Sequence, residues 1–152
     1  MAECGVDAAI LFPFGGCETL ARWVKALQEV GVTPIVGGHM TQKGFLVSEE
    51  GYVADEAPER IYGTAAQLGV TDFIVPGNKS EFVELYREQF DREIGVGRFT
   101  LSAPGFIDQG GKVSEAGKVA GPKFNAIFGR QFTNAEDPKA VAEVLTAEIR
   151  NL

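Results

Sequence analysis

Five short apolar runs, separated by stretches with helical periodicity, constrain the fold of this chain more than any other feature. The runs cover residues 8–12, 33–36, 73–75, 99–102 and 124–128. Continuous apolar runs of this length are typical of strands that are buried in a parallel sheet. The alternation therefore predicts an α/β fold of about five βα units, which spans residues 1–152 with no linker between the units.

The segments between these runs carry helix signals. Helices are predicted at residues 18–30, 58–66 and 81–90, with a short polar helix after Gly111 and a final helix that begins at Asp137-Pro138. Leu20, Val24 and Leu27 recur at the spacing of one helical face. Proline in the first turn, as at Pro58, is a common start signal for a helix.

Parallel strands form either an open, doubly wound sheet or a barrel. The first strand-to-helix turn, residues 14–18, lacks the G-x-G-x-x-G fingerprint of dinucleotide-binding sheets. Each predicted strand instead ends in Pro or Gly followed by polar residues, as do the loops of a (β/α)₈ TIM barrel. Five units cannot close a barrel, and two free strand edges favour aggregation. We therefore expect a partial barrel that another polypeptide completes.

The charge and cysteine content exclude several classes of protein. The 14 Lys and Arg residues against 21 Asp and Glu residues give a net charge of −7, which argues against a nucleic-acid partner. No apolar run is long enough to predict a membrane span. Cys4 and Cys17 lack a C-x-x-C spacing, and the N-terminal residues do not resemble a secretory signal. These features predict a cytoplasmic protein with reduced thiols.

The candidate site lies within residues 101–130. This stretch contains the turn Pro104-Gly105, the loop Gln109-Gly110-Gly111 and the pair Gly129-Arg130. The loops after the last two strands of a (β/α)₈ barrel are its usual phosphate site. Glycine allows close approach of backbone N–H groups, Gln109 offers an amide donor, and Arg130 offers a planar charged fork. The alternatives are a flexible turn at residues 109–111 and a surface ion pair at Arg130.

Four other residues are given structural interpretations from the sequence. His39 is the single histidine of the chain and is predicted to line the mouth of the barrel or to be a hydrogen-bonded structural residue, and not to be a catalyst. The pair Glu49-Glu50 is predicted to be solvent-exposed. Cys17 follows a glycine near a helix start, but an inert thiol is the simpler interpretation.

The residues above resemble orotidine 5′-phosphate decarboxylase of the archaeal type, over essentially the whole chain. The resemblance implies that the chain corresponds to strands four to eight of that family's barrel. The glycine-rich loop and Gly129-Arg130 resemble its phosphate-binding pattern. Gly38-His39-Met40-Thr41 resembles its T-E-M-S sequence, in which the Ser contacts the pyrimidine, and Thr41 keeps the hydroxyl group. The resemblance implies a substrate-binding set that comprises Thr41, Pro104, Gln109, Gly110, Gly129 and Arg130.

The resemblance also implies what this chain lacks. The D-x-K-x-x-D motif, which carries the catalytic lysine and aspartates of the family, does not occur in the sequence. The nearest string begins at Asp137 and lacks the second aspartate. No catalytic residue is therefore assigned here, and a complementary N-terminal barrel fragment or subunit is expected to carry the motif. Residues 42–55 would form a mobile lid after the family's fifth strand.

The implied activity is the conversion of orotidine 5′-monophosphate to UMP and carbon dioxide in de novo pyrimidine synthesis. This decarboxylation uses no metal and no cofactor, and the chain alone is expected to be inactive. A dimer or heterotetramer is the expected assembly. Two alternatives remain: a magnesium-dependent hexulose-phosphate synthase or ketogulonate-phosphate decarboxylase relative, and a non-catalytic module that binds a phosphate ligand.

Overall fold

The computed structural model describes residues 4–150, so the ends of the predicted 1–152 unit lie outside the described residues. The strands are β1 (Ala8–Leu11), β2 (Thr33–Gly37), β3 (Asp72–Ile74), β4 (Thr100–Ala103) and β5 (Phe124–Ala126). The helices are α1 (Cys17–Glu29), α2 (Ala57–Gln67), α3 (Ser80–Glu93), α4 (Val113–Ala120), α5 (Arg130–Thr133) and α6 (Pro138–Arg150). A 3₁₀ turn covers Val47–Glu49. Each predicted strand is confirmed, with shifts of one or two residues at its ends.

The strands form one sheet in the order β1-β2-β3-β4-β5, and every neighbouring pair is parallel. A doubly wound sheet reverses its strand order at a switch point, whereas a barrel adds each strand beside the previous one. Right-handed crossovers then place successive helices on the same face of the sheet. Helices α1 to α4 pack against one another in chain order. The chain is therefore an α/β protein with the fold of a partial (β/α)₈ barrel.

The hydrophobic core lies between the sheet and the helices. Val36, Phe73 and Leu101 are paired in register across β2, β3 and β4, and all three are fully buried. The Phe73 ring stacks on Phe90 of α3, with ring centroids 3.9 Å apart. Side chains alternate between the two faces of a strand, so the residues next to this row in each strand point to the opposite face of the sheet, away from the helices.

The opposite face of the sheet is less well covered. The Ile10 side chain of β1 is 53% exposed, and Ser102 and Asn125 form a hydrogen bond of 3.3 Å on β4 and β5. Within residues 4–150, β1 pairs only with β2, and β5 pairs only with β4. The apolar runs predicted buried strands, and this holds for the central three strands but not for β1 and β5. None of the helices in this range combines the length and apolar character that crossing a bilayer requires.

Gly37 at the end of β2 provides a test of this packing. A Cβ atom built at Gly37 would overlap the ring of Phe12, which follows the neighbouring strand β1. We predict that Gly37→Ala lowers the free energy of unfolding by about 1–3 kcal/mol, the usual cost of overpacking a site. Urea denaturation measures this loss. The penalty should shrink in a Phe12→Leu background, and an unchanged penalty there would refute the steric explanation.

Candidate functional site

The loops at the carboxyl ends of the strands contact one another. The N–H of Gly77, after β3, donates to the carbonyl of Pro104, after β4, at 2.9 Å. The Asn78 side-chain amide Nδ2 donates to the Thr41 carbonyl at 3.0 Å and to the Gln109 carbonyl at 3.4 Å. Asn78 therefore joins the loops after β2, β3 and β4 into one rim. Asn78 carries no distinctive sequence signal, because an asparagine after Pro-Gly also fits an ordinary turn.

Three side chains converge on Gly105. A Cβ atom at Gly105 would lie 2.9 Å from Thr41 Cγ2, 3.0 Å from Asn78 Oδ1 and 3.2 Å from Gln109 Oε1. The φ angle of Gly105 is 109°, in a region that strongly favours glycine. Asn78 Oδ1 is buried and has no hydrogen-bond partner among residues 4–150. The structure thus brings Thr41 and Gln109 together next to Pro104, whereas their binding roles stay predictions.

The glycine-rich loop is closed by its own backbone. Ile107 donates its N–H to the carbonyl of Gly111 at 3.1 Å, and Gly110 donates its N–H to Ile107 at 3.0 Å. The N–H of Gly111 donates to Gly105 at 3.2 Å. The sequence suggested that these glycines turn their N–H groups to a phosphate, but those of Gly110 and Gly111 are used inside the loop. Gly110 instead leaves space, since a Cβ atom there would meet no atom of the described residues within 4 Å, apart from its chain neighbours.

Arg130 is the first residue of α5 and directly follows Gly129. Its Nε atom lies 3.3 Å from Oδ2 of Asp108, the residue before Gln109, and its side chain is 68% exposed. The surface ion pair that the sequence left as an alternative is therefore present, and it brings Arg130 to the glycine-rich loop. An exposed pair of this kind contributes at most about 1 kcal/mol, so an anionic ligand can replace Asp108. Phosphate binding by Arg130 stays a prediction.

Next to this rim lies a group of buried and half-buried polar side chains, His39, Glu49, Lys79 and Tyr86, which we call the Lys79 cluster. The Lys79 ammonium Nζ lies 2.5 Å from Glu49 Oε1 and 3.0 Å from His39 Nε2, and it donates to the Gln42 carbonyl at 3.3 Å. Sequence reasoning missed Lys79, since a lysine at a helix start is usually solvent-exposed. Its position directly after the turn that ends β3 was the available signal.

His39 is neutral in this cluster. Burial, and then the Lys79 ammonium, lowers its pKa from 6.5 to about 4, although the Glu49 carboxylate acts in the opposite direction. An ammonium only donates, so Nε2 accepts from Lys79 and Nδ1 carries the proton. Nδ1 lies 2.7 Å from the Tyr86 hydroxyl, which it reaches as a donor. Burial raises the pKa of the Tyr86 phenol. The prediction of a hydrogen-bonded, structural His39 agrees with this geometry.

Glu49 anchors the segment 42–55. Its Oε2 atom accepts the N–H groups of Phe45 at 3.1 Å and Leu46 at 3.3 Å. Burial disfavours the charged carboxylate, but the hydrogen bonds from Lys79 and these N–H groups prevail and lower the pKa of Glu49. The prediction of a solvent-exposed pair is wrong for Glu49, whose side chain is 24% exposed, and confirmed for Glu50. The segment predicted as a lid is thus held against the rim through Lys79.

Two further observations concern metals and thiols. Among residues 4–150, no three or more His, Cys, Asp or Glu side chains are grouped so that they could hold a metal ion. Cys4 and Cys17 are free and exposed.

The sheet order and the single rim of loops define a segment of a (β/α)₈ barrel, and solved structures share this fold. Orotidine 5′-monophosphate decarboxylase from Sulfolobus solfataricus matches at 20% identity and a TM-score of 0.69, over 95% of this chain and 62% of that one. The enzyme from Methanocaldococcus jannaschii, complexed with inhibitor BMP, matches at 17% identity and a TM-score of 0.78, over 94% of this chain and 61% of that one. Leishmania donovani UMP synthase matches at 18% identity and a TM-score of 0.69, over 95% of this chain and 32% of that one.

These likenesses confirm, at the level of the fold, the resemblance to orotidine 5′-phosphate decarboxylase that the sequence predicted. The chain spans less than two thirds of the length of these solved chains. A comparison with protein-family models finds no match, and a comparison with curated proteins finds none either.

The buried imidazole predicts a pH dependence of stability. Unfolded His39 titrates near 6.5 and the folded form near 4. Between these values the unfolded chain takes up a proton that the folded chain does not, so acidification favours unfolding. We predict that the free energy of unfolding falls by up to about 3 kcal/mol from pH 6.5 to pH 4 on account of His39.

Urea denaturation across this range measures the loss, and a His39→Gln variant should lack the imidazole contribution while it keeps that of the carboxylates. NMR titration of the single histidine gives its pKa directly. A measured value at or above 6.5 would contradict the neutral assignment.

Proposed function

We propose that this chain is the phosphate- and pyrimidine-binding part of an orotidine 5′-phosphate decarboxylase, which converts orotidine 5′-monophosphate to UMP and carbon dioxide. The observation that carries the proposal is the convergence of Thr41 and Gln109 at Gly105, beside the Arg130–Asp108 pair. This convergence occurs on a fold shared with solved decarboxylases. In this proposal Thr41, Pro104, Gln109, Gly110, Gly129 and Arg130 bind the substrate.

The phosphate would bind between the loops after β4 and β5. Arg130 presents a planar guanidinium that can exchange its contact with Asp108 for two parallel hydrogen bonds to phosphate oxygens. Gln109 contributes its side-chain amide, and Gly110 leaves open space beside the loop. Binding of the phosphate, which is remote from the reacting carbon, can lower the activation barrier of the decarboxylation, because it holds the base in place for the chemical step.

The pyrimidine would lie toward the loop after β2. The Thr41 methyl group approaches Gly105, so its hydroxyl belongs to the same rim as the Gln109 side chain. A hydroxyl donates one hydrogen bond and accepts others, which suits the alternating donors and acceptors of a pyrimidine edge.

The proton-transfer groups would come from a complementary N-terminal barrel segment with the D-x-K-x-x-D motif. There, a lysine ammonium flanked by carboxylates would protonate the pyrimidine carbon as carbon dioxide leaves. No metal or cofactor enters this reaction as we propose it. In that arrangement this chain is inactive alone and has no catalytic residue of its own.

The β1 edge supports such a partner. A groove of about 400 Å³ runs along it, lined by apolar side chains that include Ile10, Trp23 and Leu27. Ile10 is 53% exposed and Trp23 is 43% exposed. Covering this groove with a further strand and helix removes apolar surface from water and occupies the edge of β1 that pairs with no strand in the described part of the chain. We propose that the assembly is a dimer or heterotetramer and that it acts in the cytoplasm, where the free thiols of Cys4 and Cys17 stay reduced.

Nucleotide binding tests the site. We predict that the full chain binds UMP and that Arg130→Ala weakens binding by tenfold or more, since a hydrogen bond to a charged group contributes about 1.5–3 kcal/mol. Calorimetric titration measures the affinity. Arg98→Ala is the matched control, because Arg98 is exposed and lies before β4, at the end of the strand away from the rim. Equal affinities of the Arg130 and Arg98 variants would count against the phosphate site.

Activity tests the reaction. We predict decarboxylation of orotidine 5′-monophosphate when the chain is combined with an N-terminal barrel segment that carries D-x-K-x-x-D, and none with either part alone. The absorbance change on loss of the carboxylate reports turnover, and EDTA should leave it unchanged. EDTA-sensitive aldolase activity would instead support the magnesium-dependent relative. UMP binding without turnover in any combination would support a non-catalytic module.

A further inference from the structure

Two consecutive residues after β3 hold two consecutive carbonyls after β2. Asn78 Nδ2 donates to the Thr41 carbonyl at 3.0 Å, and Lys79 Nζ donates to the Gln42 carbonyl at 3.3 Å. These two hydrogen bonds restrict the backbone rotation of Thr41 and Gln42, and this rotation would otherwise change the direction of their side chains. The direction of the Thr41 side chain is therefore set in part by the loop between β3 and α3.

The Lys79 ammonium is itself held in one position. Its three possible hydrogen bonds are matched by three acceptors, Glu49, His39 and the Gln42 carbonyl. The side chain is only 10% exposed. A buried ion pair contributes little net stability, because the cost of removing the charges from water offsets their attraction. The contribution of the Lys79–Glu49 ion pair is therefore the fixed position of the ammonium and not a gain in stability.

We propose that Lys79 is a positioning residue for the pyrimidine side of the nucleotide site, and that Glu49 and His39 fix Lys79 so that Thr41 keeps its orientation. This inference rests on the proposed function of Thr41. It adds residues that bind no substrate themselves and act through the Gln42 carbonyl.

Glu49 makes the arrangement depend on segment 42–55. The carboxylate binds Lys79 with one oxygen and the N–H groups of Phe45 and Leu46 with the other. The Phe45 ring stacks on the His39 imidazole, with ring centroids 5.4 Å apart. Leu46 is buried, and its backbone bridges to Val53. Neutralising Glu49 would therefore loosen the segment and the Thr41–Gln42 turn together.

The phosphate side is separate from this cluster. In the described part of the chain, the Arg130 side chain pairs with Asp108 and has no hydrogen bond to His39, Glu49 or Lys79. A defect in the Lys79 cluster should thus affect recognition of the base and spare recognition of the phosphate. A general loss of structure would affect both.

The test compares Glu49→Gln with Glu50→Gln in the full chain. Glu50 is the exposed neighbour and lies outside the cluster. The two probes are UMP and ribose 5-phosphate, which lacks the base, and calorimetry gives both affinities. We expect Glu49→Gln to weaken UMP binding about fivefold, the size of one net hydrogen bond, and to leave ribose 5-phosphate binding unchanged. Glu50→Gln should change neither.

Two further variants make the test sharper. In a Thr41→Val background, Glu49→Gln should cause no additional loss of UMP affinity, because both changes remove the same contact. Lys79→Met keeps the apolar stem, removes the ammonium and should reproduce the Glu49→Gln pattern, so the test does not depend on one variant folding well. Hydrogen exchange at the Phe45 and Leu46 amides should become faster in Glu49→Gln and stay unchanged in Glu50→Gln.

An equal loss of both ligands, or additive losses with Thr41→Val, would overturn the positioning role. Unchanged UMP affinity in Glu49→Gln and Lys79→Met would also overturn it, while the proposed function would stand. Failure of the unmodified chain to bind either probe would refute the proposed function, and this inference with it.

Discussion

Parallel pairing in chain order is the constraint on which the rest of this structure depends. Each strand from β2 to β5 pairs with the one before it. Since the strands run in the same direction, every loop that follows a strand reaches the same edge of the sheet. Residues as distant in sequence as Thr41, Asn78 and Gln109 meet there without any direct chain connection. The candidate site therefore depends first on the strand order, which brings these loops together, and only then on the individual residues in them.

The sequence was sufficient to predict the strands, because the signal for each of them is local. Apolar runs and Pro or Gly at their ends specify where each strand lies, and the structure shifts their limits only slightly. Gln109 and Arg130 were also predicted from local motifs together with the expected barrel. The fold explains why the loops after β4 and β5 meet, and the 3.3 Å contact between Arg130 Nε and Asp108 Oδ2 places Arg130 next to the loop that contains Gln109.

The Lys79 cluster could not be predicted in the same way. Lys79 and Glu49 are thirty positions apart, and nothing near either residue indicates that they meet. Glutamate in a polar, glycine-containing segment is usually hydrated, so the exposed interpretation of Glu49 followed the more common case. The hydrogen bonds within the glycine-rich loop escaped prediction for a related reason. Glycine permits unusual backbone angles, but the sequence does not say which carbonyl each N–H will find.

The Asn78 side chain has a consequence for exchanging parts between barrels of this kind. Its amide spans the loops after β2 and β4 from its own place after β3. If one loop alone were replaced by that of a related protein, the new loop would face two loops whose hydrogen bonds fit the original one. Residues 38–42, 76–79 and 104–111 therefore form one structural unit, in which a change in one loop alters its contacts with the other two.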